Sequence, residues 1–440
     1  MAELVWKGKE RGRRTAPQKK LRVEETHGQA AAVGAWRNRL VLGDAVDVLA
    51  SLSVDLAGKV ALVYVDPPFL TGGHFDFLAS IPGALSDAPR IAVRAYLDAP
   101  DVDGWLRWFH QIARSLRELL VDGGSLYVHL DAHVAHYAKV LLDEVFGPEA
   151  FQREIVWRIG WISGFKSRAR NWVRNHDTIL FYAKGGRGFT FHKEYVPYPK
   201  GYARRDGKPP SGDGYPIEDV WNASAVDRMD SIQIMSFSGE KVGYPTQKNE
   251  NLVRRIVQAS SSPGDIVLDC CAGSGTTAAV AEKLGRRWIA SDVSPIAIHA
   301  ARKRVLALPA PTPFAVETAG PSRARASRTL RTLSMKIAVH GRRCTLEIAA
   351  FSIPTQEVPA AALRQVAHFS QWIEDWCVDW NHRGSTMHVG ARASRSHDRG
   401  ARLPLSLAHS YERPGRYVAL VKAYDVLGGW TTKRVPVVIR

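Results

Sequence analysis

The stretch that most constrains this chain is a short apolar run that ends in two prolines. Residues Val60–Val65 read V-A-L-V-Y-V, and Asp66-Pro67-Pro68-Phe69 follow directly. A continuous run rich in β-branched residues is typical of a strand buried on both faces of a parallel sheet. Proline cannot donate a backbone hydrogen bond, so we expect the chain to leave the sheet after Val65 as a stiff loop with exposed carbonyls.

This loop combines a carboxylate, carbonyl acceptors and an aromatic ring at the carboxyl end of a strand, where open α/β sheets bind ligands. Such groups suit a planar base that carries an amino group. An isolated Asp-Pro-Pro-Phe can equally be a capped turn followed by a core phenylalanine, so the interpretation depends on the rest of the chain.

Length, charge and cysteine content narrow the class of protein. The chain has 440 residues, enough for more than one domain, and its formal net charge of +17 favours a polyanionic partner, nucleic acid before membrane. Its four cysteines show no Cys-x-x-Cys spacing, which indicates neither a zinc site nor a disulfide framework. No apolar run is long enough to cross a bilayer, and a reducing cytoplasm is the expected compartment.

Strands and helices alternate around the Val60–Val65 strand. We predict a strand at 39–44, a helix at 45–52, a loop at 70–100, a helix at 105–120, a strand at 125–130 and a helix at 132–146. This βαβ rhythm implies a parallel sheet.

Histidines near the end of the strand at 125–130 have roughly the spacing of metal ligands. They are His129, His133 and His136, with Asp131 between them. Because His133 and His136 lie beyond the strand and no other feature requires a metal, we expect locally hydrogen-bonded histidines and no metal site.

Residues 151–239 interleave basic and aromatic side chains, a pattern that suits phosphate contacts and base stacking. The candidate nucleic-acid-binding residues are Arg153, Arg158, Lys166, Arg168, Arg170 and Arg174, accompanied by Trp157, Trp161 and Trp172. A small subdomain whose charges merely face water is the alternative.

A second candidate ligand-binding stretch, with features of a nucleotide site, lies further along the chain. A predicted strand at 265–269 runs into Gly273 and Gly275, which allow a tight turn and close approach of the backbone to a ligand. A helix at 278–284 and a strand at 287–291 follow, and the strand ends at Asp292, whose carboxylate can accept from ribose hydroxyls. Few elements follow, so earlier strands must complete the sheet.

In this order the motifs resemble the beta class of amino DNA methyltransferases, a circularly permuted, Rossmann-like family that uses S-adenosylmethionine. The resemblance covers residues 39–308. Its motifs are Asp-Pro-Pro-Phe at 66–69, Gly-Tyr-Pro-Thr-Gln-Lys at 243–248, which is similar to the family's His-Pro-Thr-Gln-Lys-Pro, Ser-Pro-Gly-Asp at 262–265 and Ala-Gly-Ser-Gly-Thr-Thr at 272–277. Tyr-Val-His-Leu-Asp at 127–131 also resembles relatives of type III modification subunits.

The resemblance implies an α/β fold with a permuted methyltransferase sheet, and methyl transfer from S-adenosylmethionine to the N6 amino group of adenine at specific sites in double-stranded DNA. Adenine is favoured over cytosine because the family's adenine enzymes usually have Asp at the position of Asp66. The implied catalytic residues are Asp66, Pro67, Pro68 and Phe69. The cofactor residues are Asp44, Thr246, Gln247, Lys248, Asp269, Ala272, Gly273, Gly275 and Asp292.

Two positions depart from the family pattern. Asp269-Cys270-Cys271-Ala272 replaces the usual Asp-Pro-Phe-x, and Asn249 replaces the second proline of Thr-Gln-Lys-Pro. Neither change removes a group that the chemistry needs, although Cys271 in place of an aromatic residue affects packing around the cofactor. Three alternative functions remain open: an N4-cytosine DNA methyltransferase, an RNA amino-methyltransferase and a non-catalytic DNA-binding adaptor.

The termini differ in character from the central region. We predict a basic disordered arm at 1–34, a methyltransferase domain at 35–308 with residues 151–239 as its target-recognition region, a linker at 309–334 and a β-sandwich-like module at 335–440. The end of the module resembles immunoglobulin-like modules of the polycystic-kidney-disease (PKD) type. A second copy of the chain or a restriction-system subunit stays open as a partner.

Overall fold

The computed structural model describes residues 3–9, 18–29, 34–83, 90–97, 101–158, 168, 170–208, 212, 214–222, 240–320, 331–395 and 402–440. The helices of this part of the chain are α1 (Ala45–Leu56), α2 (Val102–Leu119), α3 (Ala135–Phe146), α4 (Glu250–Ser260), α5 (Thr276–Lys283), α6 (Pro295–Leu306) and α7 (Ala360–Leu363). Across these described ranges, no helix is both long and apolar enough to cross a membrane.

The first half of the chain contains strands β1 (Leu21–His27), β2 (Asn38–Leu42), β3 (Val60–Val65), β4 (His74–Ala79), β5 (Ile91–Leu97), β6 (Leu120–Leu130), β7 (Phe151–Arg158), β8 (His176–Ala183), β9 (Tyr195–Val196), β10 (Tyr215–Pro216) and β11 (Val220–Trp221). The second half contains β12 (Ile266–Asp269), β13 (Arg287–Asp292), β14 (Phe314–Ala319), β15 (Thr332–His340), β16 (Arg343–Ser352), β17 (Ile373–Asp379), β18 (Met387–Val389), β19 (Ala391–Ser394), β20 (Ser406–Ser410), β21 (Gly415–Asp425) and β22 (Trp430–Ile439).

The main sheet has eleven strands in the order β11-β7-β8-β6-β3-β12-β13-β2-β14-β1-β18. Its centre, from β6 to β14, is parallel, whereas β8 and β1 run antiparallel to their neighbours β6 and β14. Strand β3 comes long before β12 in the sequence but lies beside it in the sheet. This interleaving confirms the α/β class and the permuted order.

Strand β3 explains why its sequence is continuously apolar. Its side chains alternate between the two faces of the sheet, and helices cover both faces. Val63 and Val65 pack with the buried residues of α1, α2 and α3, whereas Leu62 and Tyr64 pack with those of α4, α5 and α6. The predicted bounds of this strand are confirmed.

The C-terminal part is an all-β module, as predicted. A three-stranded sheet, β15-β16-β20, and a four-stranded sheet, β19-β17-β21-β22, share one apolar core. This core includes Leu346, Trp376 and Val421, which come from different strands. Strand β18 leaves the module and pairs in parallel with β1, so the module and the main sheet are joined by backbone hydrogen bonds.

Several sequence-based boundaries are wrong. Strand β1 lies within the predicted disordered arm at 1–34, where its Glu25 is fully buried against the module. Strand β14 belongs to the main sheet but lies in the predicted linker at 309–334, and β15 begins there as well. The charged residues of β1 resemble those of a disordered arm, and the prolines before Phe314 resemble a linker, so the sequence pattern predicted neither β1 nor β14.

Two further segments contain more structure than predicted. The loop predicted at 70–100 contains the hairpin β4–β5. In the described part of the region at 151–239, β7, β8 and β11 extend the main sheet beyond β6. Residues 159–167, 169, 209–211, 213 and 223–239 of that region lie outside the described residues.

Candidate active site

The carboxyl ends of the parallel strands bring distant carboxylates to one edge of the sheet. Asp66 follows β3, Asp269 and Asp292 end β12 and β13, and Asp44 follows β2. The backbone amide of Gly43 donates to the carbonyl of Asp292 at 2.9 Å, which ties the ends of β2 and β13 together. The predicted catalytic and cofactor residues therefore meet at the edge where such sheets bind ligands.

The two carboxylate oxygens of Asp66 have different surroundings. Oδ2 lies 2.5 Å from the ammonium nitrogen of Lys248. Oδ1 is buried and has no hydrogen-bond partner among the residues that the structure describes. The same Lys248 nitrogen lies over the ring of Phe69, 5.2 Å from its centroid. The site thus contains an ion pair, a free acceptor and an aromatic face.

The loop that carries these groups is fixed in place. The indole nitrogen of Trp105 donates to the carbonyl of Pro68 at 2.7 Å. The expectation of freely exposed carbonyls in this loop is therefore wrong for Pro68. Leu70 adopts a left-handed φ of 58°, which is strained for a non-glycine residue.

His129 lies beneath Phe69 and is held from two sides. Its Nδ1 lies 2.9 Å from the hydroxyl of Tyr64 and its Nε2 lies 3.2 Å from Asp177. Its ring stacks on Phe69 with centroids 6.1 Å apart and meets the edge of Trp157 at 5.3 Å. His129 therefore supports the ring of Phe69 from inside the fold.

The surrounding carboxylates pair with nearby cations and donors. Asp131 contacts His133 at 2.7 Å, and Arg174 pairs with both Asp131 and Asp177. Burial raises the pKa of Asp177, but the hydrogen bond and charge of His129 and the charges of Lys248 and Arg174 outweigh it and lower the pKa to about 2. Within the described ranges, no group of three or more His, Cys, Asp or Glu residues is placed to hold a metal ion.

The loop after β12 is shaped by hydrogen bonds to two carboxylates. Asp269 accepts from the amide of Cys271 at 3.0 Å and from the hydroxyl of Thr277 at 2.6 Å. Asp292 accepts from the amides of Gly273 and Ser294, both at 2.8 Å. Burial raises the pKa of Asp269 to about 7 and that of Asp292 to about 6, even though these hydrogen bonds oppose the rise.

The two glycines of this loop are needed for different reasons. Gly275 has a φ of 74°, and a Cβ there would lie 2.6 Å from the Cβ of Ala301, so glycine lets α5 approach α6 closely. A Cβ on Gly273 would lie 3.2 Å from the ring of Tyr244. Ala272 is anchored by its amide, which donates to the carbonyl of Ser291 at 2.9 Å.

The Thr-Gln-Lys segment is attached to this loop. The hydroxyl of Thr276 donates to the carbonyl of Lys248 at 3.1 Å. Gln247 braces its own turn, because its amide donates to the carbonyl of Glu240 at 2.7 Å and its oxygen accepts from the amide of Val242 at 2.9 Å. Thr246 has a left-handed φ of 56°.

Two contributors were missed at the level of sequence. Arg304 of α6 donates to the Thr276 hydroxyl at 2.9 Å and to Glu250 at 2.7 Å, and so clamps α4 to the start of α5. No motif marks either residue, since each reads as an ordinary charge on a helix.

Asp44, predicted near the adenine of the cofactor, is an exposed N-cap that accepts from the amide of Val46 at 2.9 Å.

The proposed DNA-binding side chains divide into three groups. Arg153, Arg158, Arg168 and Arg170 are exposed, and Arg158 ends β7 at the same edge of the sheet as Asp66. Arg174 is instead paired with buried carboxylates, and Lys166 and Trp161 lie outside the described residues. Trp172 is 98% exposed, but Trp157 is fully buried, so its expected stacking on a base is wrong.

Comparison with known proteins identifies the family. The family model N6_N4_Mtase, DNA methylase, matches residues 60–303. The Type II methyltransferase M.EcaI of Enterobacter cloacae is 28% identical over 56% of this chain and 64% of its own length, so the chain spans just under two thirds of that relative. The DNA adenine methyltransferase YhdJ of Escherichia coli K12 is 27% identical over 56% of this chain and 76% of its own.

Two of the solved structures found to be similar cover portions of the chain. The M1.HpyAVI–SAM complex covers 61% of this chain and 99% of its own, with 19% identity and a TM-score of 0.41. The PKD1 domain of Vibrio anguillarum Epp covers 26% of this chain and 96% of its own, with 11% identity and a TM-score of 0.17. Because the family model matches more than half of its length, the chain belongs to the N6/N4 DNA methylases, a family that uses S-adenosylmethionine.

Proposed function

We propose that this protein methylates the N6 amino group of adenine at specific sites in double-stranded DNA. The observation that carries the proposal is the buried Oδ1 of Asp66, which accepts no hydrogen bond from the described residues. A buried acceptor without a partner is costly, and catalytic groups are a common reason for such an atom to persist. An amino group held against Oδ1 would supply the missing donor.

The chemistry follows from the groups around Asp66. The cofactor, S-adenosylmethionine, supplies an electrophilic methyl group when bound. The lone pair of the substrate's amino nitrogen is delocalised into the base, and donation of its protons to Asp66 and to the Pro67 carbonyl draws the nitrogen toward a tetrahedral, nucleophilic geometry. The nitrogen would gain the methyl carbon as the bond from that carbon to the sulfonium breaks, which would leave S-adenosylhomocysteine, and it would release one proton, for which Asp66 is the adjacent base.

Phe69 would stack on the target base. A base inside the duplex cannot reach Asp66, so the nucleotide must be flipped out of the helix. Lys248 now pairs with Oδ2 of Asp66 and lies over the ring of Phe69, at the place that the stacked base would take. We therefore expect Lys248 to move when the base is inserted, with the methionine carboxylate of the cofactor as its new partner.

We assign the cofactor to the loop between β12 and β13. Asp292 uses one lone pair of each oxygen for an amide, and the remaining lone pairs can accept from ribose hydroxyls. Gly273 suits this loop because its φ of 49° is left-handed and a Cβ there would meet Tyr244. Thr246, Gln247 and Lys248 would lie at the methionine end and Asp44 near the adenine.

DNA would lie along the edge of the sheet that carries Asp66. Arg153, Arg158, Arg168 and Arg170 are exposed in the segment that follows β6, and their charges suit phosphate contacts. The net charge of +17 supports a polyanionic partner. Arg174 is better assigned to holding Asp177 and Asp131 in place than to the DNA.

Two variants of Asp66 and analysis of the methylated base test this function. We expect Asp66→Ala and the isosteric Asp66→Asn to lower kcat by about a hundredfold or more, because a contact formed with the reacting nitrogen is lost. Calorimetry should show nearly unchanged binding of S-adenosylmethionine. Activity close to that of the wild type in both variants would refute the mechanism.

The substrate is tested by tritium transfer to DNA and RNA in parallel, followed by mass spectrometry of the nucleosides. We expect N6-methyladenine from DNA. N4-methylcytosine would keep the mechanism and change the base, because the family covers both amino groups. Transfer to RNA alone would make RNA, and not DNA, the substrate. Cofactor binding without transfer to either nucleic acid would favour a non-catalytic adaptor.

A further inference from the structure

The hairpin β4–β5, which follows the Asp66 loop, packs against the C-terminal module. Ala79, Ile81 and Ile91 are buried in the same apolar core as the module's Trp376 and Phe351. A hydrogen bond from the side-chain amide of Gln371 to the carbonyl of Pro82, at 2.8 Å, fixes the end of β4 to the module. The hairpin therefore has a rigid support outside the methyltransferase sheet.

The same hairpin also contacts the proposed cofactor site. Ala95 is buried with Tyr244 and with Ile296 of α6, and Phe77 packs against this cluster. The ring of Phe77 lies 3.6 Å from the position of a Cβ on Gly243, and the ring of Tyr244 lies 3.2 Å from the position of a Cβ on Gly273. Contacts are thus continuous from the module core to the glycine loop.

The module makes a second, direct contact with this region. Gly428, in the turn between β21 and β22, lies so close to Ile296 that a Cβ there would be 2.3 Å from its Cδ1 and 3.2 Å from its Cα. Ile296 lies at the start of α6, shortly after Asp292, and is 3% exposed. The module therefore holds the backbone that follows the proposed ribose-binding carboxylate.

We propose that the C-terminal module is a brace for the cofactor site, and that Phe77, Tyr244 and Ile296 are positioning residues for S-adenosylmethionine. The inference rests on the cofactor site proposed above. Through the hairpin and through Gly428, the module fixes the two segments, at Tyr244 and at Ile296, that flank Gly273 and Asp292. A site that is ordered before binding does not lose conformational freedom when its ligand arrives, so its affinity is higher.

The brace should act on binding and not on the chemical step. The loop that carries Asp66 is held by Trp105 of α2, which belongs to neither the hairpin nor the module. Weakening the brace is therefore expected to raise the Kd and KM for S-adenosylmethionine while leaving kcat at saturating cofactor unchanged.

Two neighbouring residues of β4 provide the first test. Phe77→Ala removes the ring that contacts Gly243, whereas Leu78, on the opposite face of the strand, is 46% exposed and serves as the matched control. We expect Phe77→Ala to weaken binding of S-adenosylmethionine about tenfold, a usual size for coupling between packed sites, and Leu78→Ala to leave it unchanged. Equal Kd values in the two variants, measured by calorimetry, would overturn the proposal.

Two glycines of the module provide the second test. Gly428→Ala places a methyl group against Ile296, whereas Gly384→Ala has a similar left-handed φ of 83° and open space around its Cβ. Both variants carry the backbone strain, so a lower cofactor affinity in Gly428→Ala alone reports the contact with α6. Thermal unfolding and circular dichroism verify that both variants are folded. A Kd in Gly428→Ala equal to that in Gly384→Ala would show that the module does not position α6.

Asp292→Ala separates this proposal from the cofactor site on which it rests. If Asp292→Ala loses affinity while Phe77→Ala and Gly428→Ala bind normally, the site stands and the brace is wrong. If Asp292→Ala binds S-adenosylmethionine normally, the assigned site is wrong and the brace is refuted with it. Loss of affinity in all three variants, with both controls unchanged, is the expected result.

Discussion

At the scale of single residues, burial sets the charge of the carboxylates at the cofactor edge. The pKa of Asp292 is raised to about 6 and that of Asp269 to about 7, because the low dielectric of the interior disfavours the ionised form. Asp292 faces the proposed ribose position, whereas both oxygens of Asp269 accept hydrogen bonds from its own loop. A change of pH near neutrality therefore alters the acceptor that the cofactor would use.

The pH dependence of cofactor binding follows from Asp292. Above its pKa of about 6 the ionised carboxylate accepts from hydroxyls, and below it the protonated acid loses acceptor capacity. We expect the affinity for S-adenosylmethionine to fall as the pH is lowered through about 6, as measured by calorimetry between pH 5 and 8. Asp292→Asn should remove this step and leave any change near pH 7 that Asp269 causes. A step at pH 6 that persists in Asp292→Asn would assign the titration to another group.

At the scale of secondary-structure elements, the contact between α5 and α6 depends on one missing side chain. Gly275→Ala combines a left-handed φ of 74° with a Cβ placed 2.6 Å from that of Ala301. We expect it to lower the free energy of unfolding by about 2–4 kcal/mol, through backbone strain and overpacking together. Gly285→Ala, with a φ of 68° and open space, should cost about 1–2 kcal/mol from strain alone. Urea denaturation measures both, and equal losses would exclude a close approach of the helices.

The predictable elements are those whose patterns are local. Strand β3 was placed with correct bounds because a continuous apolar run needs helices on both faces of a sheet. The hairpin β4–β5 was missed because the partners of Ala79 and Ile91 lie in the module, hundreds of residues away. The charged composition of β1 wrongly predicted a disordered arm, because Glu25 is stable in the interior only beside Lys422 and Tyr424.

The candidate site shows the same division. Asp66, Gly273 and Asp292 are predicted from motifs, because the proposed chemistry fixes their types and order, and the structure brings them to one edge of the sheet. The groups that hold them, such as Trp105 and Arg304, have no motif, because any packed arrangement can supply one donor at the required place. Motifs therefore predict the candidate reacting groups, which remain predictions, but they do not predict the groups that support them.

At the scale of the whole molecule, buried charges join the module to the methyltransferase sheet. Glu25 of β1 accepts from Lys422 at 2.9 Å and from the hydroxyl of Tyr424 at 2.6 Å, and Arg302 of α6 donates to both oxygens of Asp375 at 2.6 Å. Burial raises the pKa of Glu25, but the charges of Lys422 and Arg302 and the hydrogen bond from His27 outweigh it and hold the pKa well below its usual value. The module is therefore fixed to the catalytic part and is not tethered by a linker alone.

Glu25 provides the test of this union. Glu25→Gln leaves the ammonium of Lys422 buried without its counter-ion, which we expect to lower the free energy of unfolding by about 3–5 kcal/mol in urea at pH 7. Glu24→Gln is the matched control, because it removes a pair with the half-exposed Arg22 and should cost about 1 kcal/mol or less. In the double variant Glu25→Gln with Lys422→Met the unpaired ammonium is gone, while Arg302 keeps its pair with Asp375, so much of the loss should be recovered.

The dependence of the free energy of unfolding on pH provides an independent test of Glu25. A carboxylate whose pKa is lower in the folded state stabilises the fold above its unfolded pKa, near 4.5 for Glu25, and that stabilisation is lost as the pH falls below it. The difference in stability between the wild type and Glu25→Gln should therefore be full at neutral pH and shrink progressively below pH 4.5. If Glu25→Gln cost no more than Glu24→Gln at pH 7, or if the difference did not change in acid, the buried charges would not hold the module to the sheet, and the strand pairing of β1 with β18 would have to do so without them.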